Sequence, residues 1–190
     1  KQLREESAAE LGELDVITAD NILTRLLRLQ QLTGGFVPVE SGKTVQVSKA
    51  KLDLLEEVVA ETLDGDLARK VVVFARFLPE VAAIRDRLTA MGLQPVVLAG
   101  GERDRGGVVG RFRNDPGVRA FVGQIQTAGV GIPLDVADTA VYYSTTFSLT
   151  DYDQARSRIK AVGKATPRQH IALLVQRSVD EHIERALARK

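Results

Sequence analysis

A chain of 190 residues is long enough to bury a core of its own, and 26 Lys and Arg against 25 Asp and Glu announce no large field for a nucleic acid or a membrane, although charges segregated onto two faces would leave the same sum. The absence of cysteine excludes disulfides, thiol catalysis and cysteine metal sites and fits a cytosolic protein, while His170 and His182 are too few for a histidine metal cluster. Apolar runs such as "KVVVFA" and "HIALLV" fall well short of the ~20 residues of a membrane span, and the opening "KQLREESAAE", without an initiator Met, suggests a piece of something longer.

The first third reads as helical. "DNILTRLLRLQQLTGG" sets Ile22, Leu23, Leu26, Leu27 and Leu29 along a broad apolar stripe, with Asp20 as N-cap and Gly34 as the stop. "FVPVESGKTVQV" follows as a short hairpin or extended loop, and a second helix runs from about Ser48 to Asp64-Gly65. "SGKT" at 41–44 echoes the end of a phosphate-binding P-loop. That loop needs an earlier glycine, a preceding strand and a following helix; Val37 stands at the glycine position and Val45-Gln46-Val47 starts no helix. The stretch is read as a turn with an exposed Lys43.

From residue 70 the rhythm changes. Strands are expected at "KVVVFA", "PVVLA", "VRAFVG", "TAVYYS" and "RQHIALLV", with helices near 79–91, 104–113, 150–162 and 178–189. Pro79 suits a first helical turn, Gly92 a helix stop, and Ser178 with Glu181 a capping box. Val-rich strands alternating with helices predict an α/β fold, a mostly parallel sheet covered on both faces. Ligands bind such sheets at the carboxyl ends of the strands. That rule nominates Arg76–Leu78, Gly100–Arg105, Gln126–Gly131 and Ser144–Phe147.

Two stretches carry more chemistry. In "QTAGVGIPL" two glycines near a strand end let the backbone approach a ligand, with Gln126 and Thr127 alongside; a sharp structural turn would use them equally well. In "QARSRIKAVGKA" a helical wheel at ~100° per residue puts Gln154 and position 161 within about 60° of Arg158, and Arg156 and Lys160 on the opposite face. Such a helix either aims a Gln-Arg set at a phosphate or is simply a solvated basic helix.

Taken in order and spacing, "KVVVFARFLPEVAAIRDRL", "LAGG…GRF", "QTAGVGIPL" and "TAVYYSTTFSLTDYDQARSRIKAVGK" resemble the second RecA-like motor lobe of Swi/Snf-type helicases, especially the compact phage and bacterial members. The resemblance covers nearly the whole chain and implies a RecA-like parallel sheet sandwiched by helices over 67–190, with an N-terminal helical lead-in over 1–66. It implies a DNA-dependent ATPase, more a translocase than a strand separator, in the cytoplasm of a bacterial or phage-infected cell. ATP and Mg2+ would be held mainly by a first RecA-like lobe, absent from this sequence, and the partners would be that lobe and the backbone of double-stranded DNA.

By the same resemblance Gln154 and Arg158 face the ATP phosphates, Gly129 and Gly131 with Thr127 form the turn coupling ATP to DNA, and Arg76, Gly100 and Arg105 border the DNA path. The family continues with His-Arg-Ile-Gly-Gln where this chain has Lys160-Ala161-Val162-Gly163-Lys164. Ala161 therefore stands in the place of the arginine finger, a group that contributes about 10³–10⁵ in rate to phosphoryl transfer. Lys160 is not expected to replace it from the opposite face of the helix. Pro133 also replaces an Asn, and the loop from Gly100 to Phe112 is shorter than usual. Two other functions remain: a catalytically degenerate RecA-like module that grips DNA or a protein, and an unrelated nucleotide- or sugar-nucleotide-binding enzyme.

Overall fold

The computed structural model describes residues 22–39, 41–128, 131–160 and 168–188. A helix over 22–33 (α1) leads into an antiparallel hairpin, β1 (Phe36–Pro38) and β2 (Thr44–Gln46), whose connection turns at Gly42 with φ +76 and leaves Lys43 exposed. Then come α2 (Ala50–Leu63), β3 (Val71–Ala75), α3 (Leu78–Ala90), β4 (Val96–Leu98), α4 (Arg105–Asn114), β5 (Ala120–Gln124) and the single turn α5 (Ile125–Ala128). The chain continues through β6 (Thr139–Tyr142), α6 (Leu149–Ser157), β7 (Gln169–Ala172) and α7 (Val179–Ala188).

Strands β3 to β7 form one parallel sheet in the order β4, β5, β3, β6, β7. The central strand, "VVVFA", is buried throughout, because it has a layer on each side. Val72 and Phe74 point to the face covered by α4, α6 and α7, where they meet Phe112, Tyr152 and Ile183. Val71, Val73 and Ala75 point to the face covered by α2 and α3, against Leu55, Val59, Ile84 and Leu88. Burying each such side chain contributes about 1.5–3 kcal/mol, so a continuous apolar strand is stable only between two layers. Helix α2, from the stretch read as lead-in, thus belongs to the layer on the second face.

Three local features differ from the sequence reading. Of the apolar stripe of α1, Ile22, Leu23 and Leu29 are exposed and Leu26 and Leu27 half-buried, while Gln30 is buried. Gln30 holds this helix to the edge of the sheet, and Thr33 holds it to α7, through hydrogen bonds described below. Its stop is Gly35, at φ +87, one residue beyond Gly34; Asp20 lies outside the described residues. At α7 Ser178 Oγ accepts from the Asp180 amide, but Glu181 accepts from Arg177 rather than from Ser178, so the capping box is half made.

The third difference is at α6. The helix ends at Ser157 instead of running on to 162. In a continuing helix the Arg158 amide would donate to the Gln154 carbonyl. That carbonyl is instead taken by two side chains, Ser157 Oγ at 2.7 Å and Arg158 Nε at 3.2 Å. The amides of Arg158 and Lys160 turn to the carbonyls three residues back, Ala155 and Ser157. Side chains competing for the backbone end the helix.

Candidate phosphate and nucleic-acid interface

Because every strand of the main sheet is parallel, the ends of β3, β4, β5 and β6 share one edge. Gln124, the last residue of β5, ties three of its segments together. Its Nε2 donates to the Arg76 carbonyl at 3.2 Å, and its Oε1 accepts from the Gly100 amide at 3.0 Å and from Thr127 Oγ1 at 3.4 Å. Gly100, Arg76 and Thr127, nominated separately by the sequence, are therefore brought to one point. Gln124 was missed because it closes an apolar strand; the polar residue ending "AFVGQ" was the available signal.

Arg76 is less free than the sequence reading supposes. Its amide donates to Ser144 Oγ at 2.8 Å, its Nη1 to Gln30 Oε1 at 2.5 Å, and its guanidinium lies 5.5 and 5.9 Å from the rings of Phe77 and Phe147. Burial lowers its pKa, opposed by the charges of Glu80 and Asp151. Gln30 in turn donates to the Thr145 carbonyl at 2.9 Å, so α1 is latched to the ends of β3 and β6. Arg105, in contrast, is exposed in the first turn of α4, which Asp104 caps by accepting from the Gly107 amide at 2.8 Å.

Beneath the edge lies a buried polar group. Glu80 is fully buried in the first turn of α3, where it accepts from Ser144 Oγ at 2.5 Å and from the Phe77 amide at 3.2 Å, leaving Oε1 without a hydrogen-bond partner among the described residues. Burial pushes its carboxyl up to about 7, opposed by those hydrogen bonds and the charge of Lys51. Lys51 itself pairs with Asp180 at 2.7 Å, and Asp180 also accepts from Thr33 Oγ1 at 2.8 Å.

The second cluster sits at the end of α6. Arg158, Lys160, Gly131, Pro133, Arg113 and Asp135 line a cavity of about 460 Å³. Gly131 adopts φ +67, the left-handed conformation for which glycine is suited, and the Leu134 amide donates to the Arg158 carbonyl at 3.0 Å, joining the glycine-rich segment to the end of α6. Arg113 pairs with Asp135. Lys160 lines the same cavity as Arg158, and its charge also acts together with that of Arg156 on His170 of β7, whose pKa is lowered first by burial. Gln154 contributes its backbone carbonyl to the Arg158 side chain and does not line this cavity. Gly129 and Ala161 lie outside the described residues. Two or three cations around a glycine turn suit a polyanion such as a chain of phosphates. No group of three or more His, Cys, Asp or Glu side chains comes together for a metal among the described residues. No helix there is long and apolar enough to cross a membrane.

No protein-family model matches the chain. It is 21% identical over 189 residues to an uncharacterized ATP-dependent helicase of Mycoplasma pneumoniae, which covers 98% of this chain and 18% of that protein. Among solved structures, the Sulfolobus solfataricus SWI2/SNF2 ATPase core in complex with double-stranded DNA matches at TM-score 0.70 and 25% identity, covering 89% of this chain and 36% of that one. The C-terminal part of the Fun30 ATPase domain matches at TM-score 0.66 and 23% identity, covering 72% of this chain and 44% of that one.

The chain has a RecA-like α/β fold. Its relatives are named as ATP-dependent helicases and chromatin-remodelling ATPases, and the solved structures it resembles include a SWI2/SNF2 ATPase core and the C-terminal part of the Fun30 ATPase domain. It spans less than a fifth of the length of the Mycoplasma helicase.

Proposed function

We propose that this chain is the second motor lobe of an ATP-dependent DNA translocase, contributing contacts to ATP phosphates and to the DNA backbone and incomplete without a first lobe. The observation that carries the reading is the convergence of Arg158 and Gly131 on one cationic cavity. Among the described residues the terminal Nη atoms of Arg158 have no partner, its Nε being held by the Gln154 carbonyl. That bond would aim the guanidinium, and charge-assisted hydrogen bonds from it would strengthen as charge builds on the transferring phosphoryl group. Magnesium, when bound to ATP, neutralises phosphate charge. The absence of a carboxylate cluster among the described residues gives it no ligand set here, so its ligands are assigned to the first lobe.

Arg105, Thr127 and the Gly100 backbone are read as the DNA-facing groups, with Arg76 behind them. Support comes from Gln124, which holds Gly100, Arg76 and Thr127 at one edge, and from the DNA-bound neighbour. At a formal net charge of +1 the binding should be weak, sequence-independent and steeply salt-dependent.

The test is ATP hydrolysis by residues 1–190 with and without duplex DNA. The chain carries no P-loop, so turnover should not rise above background; robust DNA-stimulated hydrolysis would overturn the half-motor reading. Ala161 favours a second reading, a lobe that grips DNA without supporting turnover. Hydrolysis by the two-lobe parent protein separates the two.

A further inference from the structure

The chain lacks an arginine at 161, yet the cavity beside Arg158 is not short of a second cation. We propose that Lys160 is that cation, a phosphate-contacting group sharing the polyphosphate with Arg158. The inference rests on the reading of Arg158 given above and names the residue that completes the site.

The geometry follows from the early end of α6. In a continuing α-helix, steps of ~100° put residues two apart about 160° from each other, on opposite faces. Here the chain closes with bonds three residues back, Lys160 to Ser157 and Arg158 to Ala155, each at 3.2 Å. At the ~120° per residue of such turns, the separation falls to about 120°. Ile159, fully buried in the core, anchors the turn between them. Its two neighbours therefore emerge on either side of one buried residue, and both line the cavity with Gly131.

Charge points to the class of ligand. The described charged groups of the cavity are Arg113, Asp135, Arg158 and Lys160, and Arg113 and Asp135 are paired with each other. Arg158 and Lys160 supply the remaining positive charge. A lysine is a compact charge on a flexible stem, able to follow a phosphate oxygen but unable to make the bidentate contact of an arginine. Such a substitution keeps phosphate binding and weakens orientation of the transferring group.

The experiment titrates inorganic tripolyphosphate into the 190-residue chain at low ionic strength. NMR signals of the Arg158 Nε–H, the Gly131 amide and the Lys160 ε-methylene are followed in the wild type, Arg158→Ala, Lys160→Ala, Lys160→Arg and Lys43→Ala. All three wild-type signals should shift together. Lys160→Ala should raise Kd about three- to fivefold, the scale of an exposed ionic contact. Lys160→Arg should retain affinity, and Lys43→Ala, on the hairpin turn, should leave it unchanged. If Lys160→Ala behaves like Lys43→Ala while Arg158→Ala weakens binding, the role of Lys160 is overturned and the phosphate reading of Arg158 stands. If neither Arg158 nor Gly131 shifts in the wild type, both are overturned.

Discussion

The Cα of Gly34 lies against the carboxylate of Glu80, so that a methyl group added to it would stand 1.9 Å from Oε1 and 3.0 Å from Cδ. Neither side can yield cheaply. Glu80 is fixed by Ser144 and the Phe77 amide, and Gly34 accepts from Tyr143 Oη at 2.8 Å and donates to the Gln30 carbonyl at 2.9 Å. Gly34→Ala is expected to destabilise the chain by about 1–3 kcal/mol, as overpacking of a filled site does. Gly106→Ala, in the first turn of α4 with open space around it, is expected to be neutral or slightly stabilising. Urea unfolding midpoints compare them; equal midpoints would remove the contact from the account.

Glu80 also makes stability depend on pH. Its folded pKa is raised to about 7, burial being the main cause. Between the ordinary carboxyl range and about 7 the folded state holds a proton that the unfolded chain has lost. Stability from this group is thus fully present below the unfolded value and is lost as pH rises through about 7. The loss should be roughly 1–3 kcal/mol. Glu80→Gln, which cannot ionise, should remove this component. Unfolding free energies from about pH 5 to about pH 8 for both proteins test it, and parallel curves would contradict it.

The buried pair of Lys51 and Asp180 joins α2 to α7, with Thr33 of α1 as a third member. Lys51→Met leaves a buried carboxylate with a hydroxyl and the Val175 amide but no compensating charge. A loss of about 3–5 kcal/mol is expected. Lys51→Met with Asp180→Leu should recover part of that, since an apolar pair removes the stranded charge. A double-mutant cycle measures the coupling, and strictly additive losses would show that the pair acts as two independent groups.

On DNA, Arg105 and Arg76 should behave differently. Arg105→Ala removes an exposed cation and should weaken duplex binding alike for all sequences, lowering the salt slope by about one, without changing the unfolding midpoint. Arg76→Ala also breaks the bond to Gln30 that latches α1, so it should lower stability as well as binding. Fluorescence anisotropy on duplexes of unrelated sequence reads the first effect and urea unfolding the second. A strong preference for one sequence, or an unchanged affinity in Arg105→Ala, would count against the backbone-binding reading.

Sequence by itself determined the parallel sheet and its five strands. A run such as Val71-Val72-Val73-Phe74-Ala75, apolar at every position, has one stable environment in a protein of this size, a strand with helices on both faces. Helix ends set by local backbone chemistry were equally legible: Pro79 in the first turn of α3, and Gly92 at φ +79 after its last.

Only the tertiary structure decided which side chains meet. Gln30, Arg76, Ser144 and Glu80 form one polar cluster, in which Ser144 reaches Glu80 across 64 residues and Gln30 reaches the Thr145 carbonyl across 115, and no periodicity reports hydrogen bonds over such separations. The end of α6 was hidden for a related reason. Whether Ser157 and Arg158 take the Gln154 carbonyl, and whether Ile159 turns into the core, depends on what packs above them. A helical wheel assumes that the helix continues. Once it stops, the angle between Arg158 and Lys160 narrows, and both residues line one cavity.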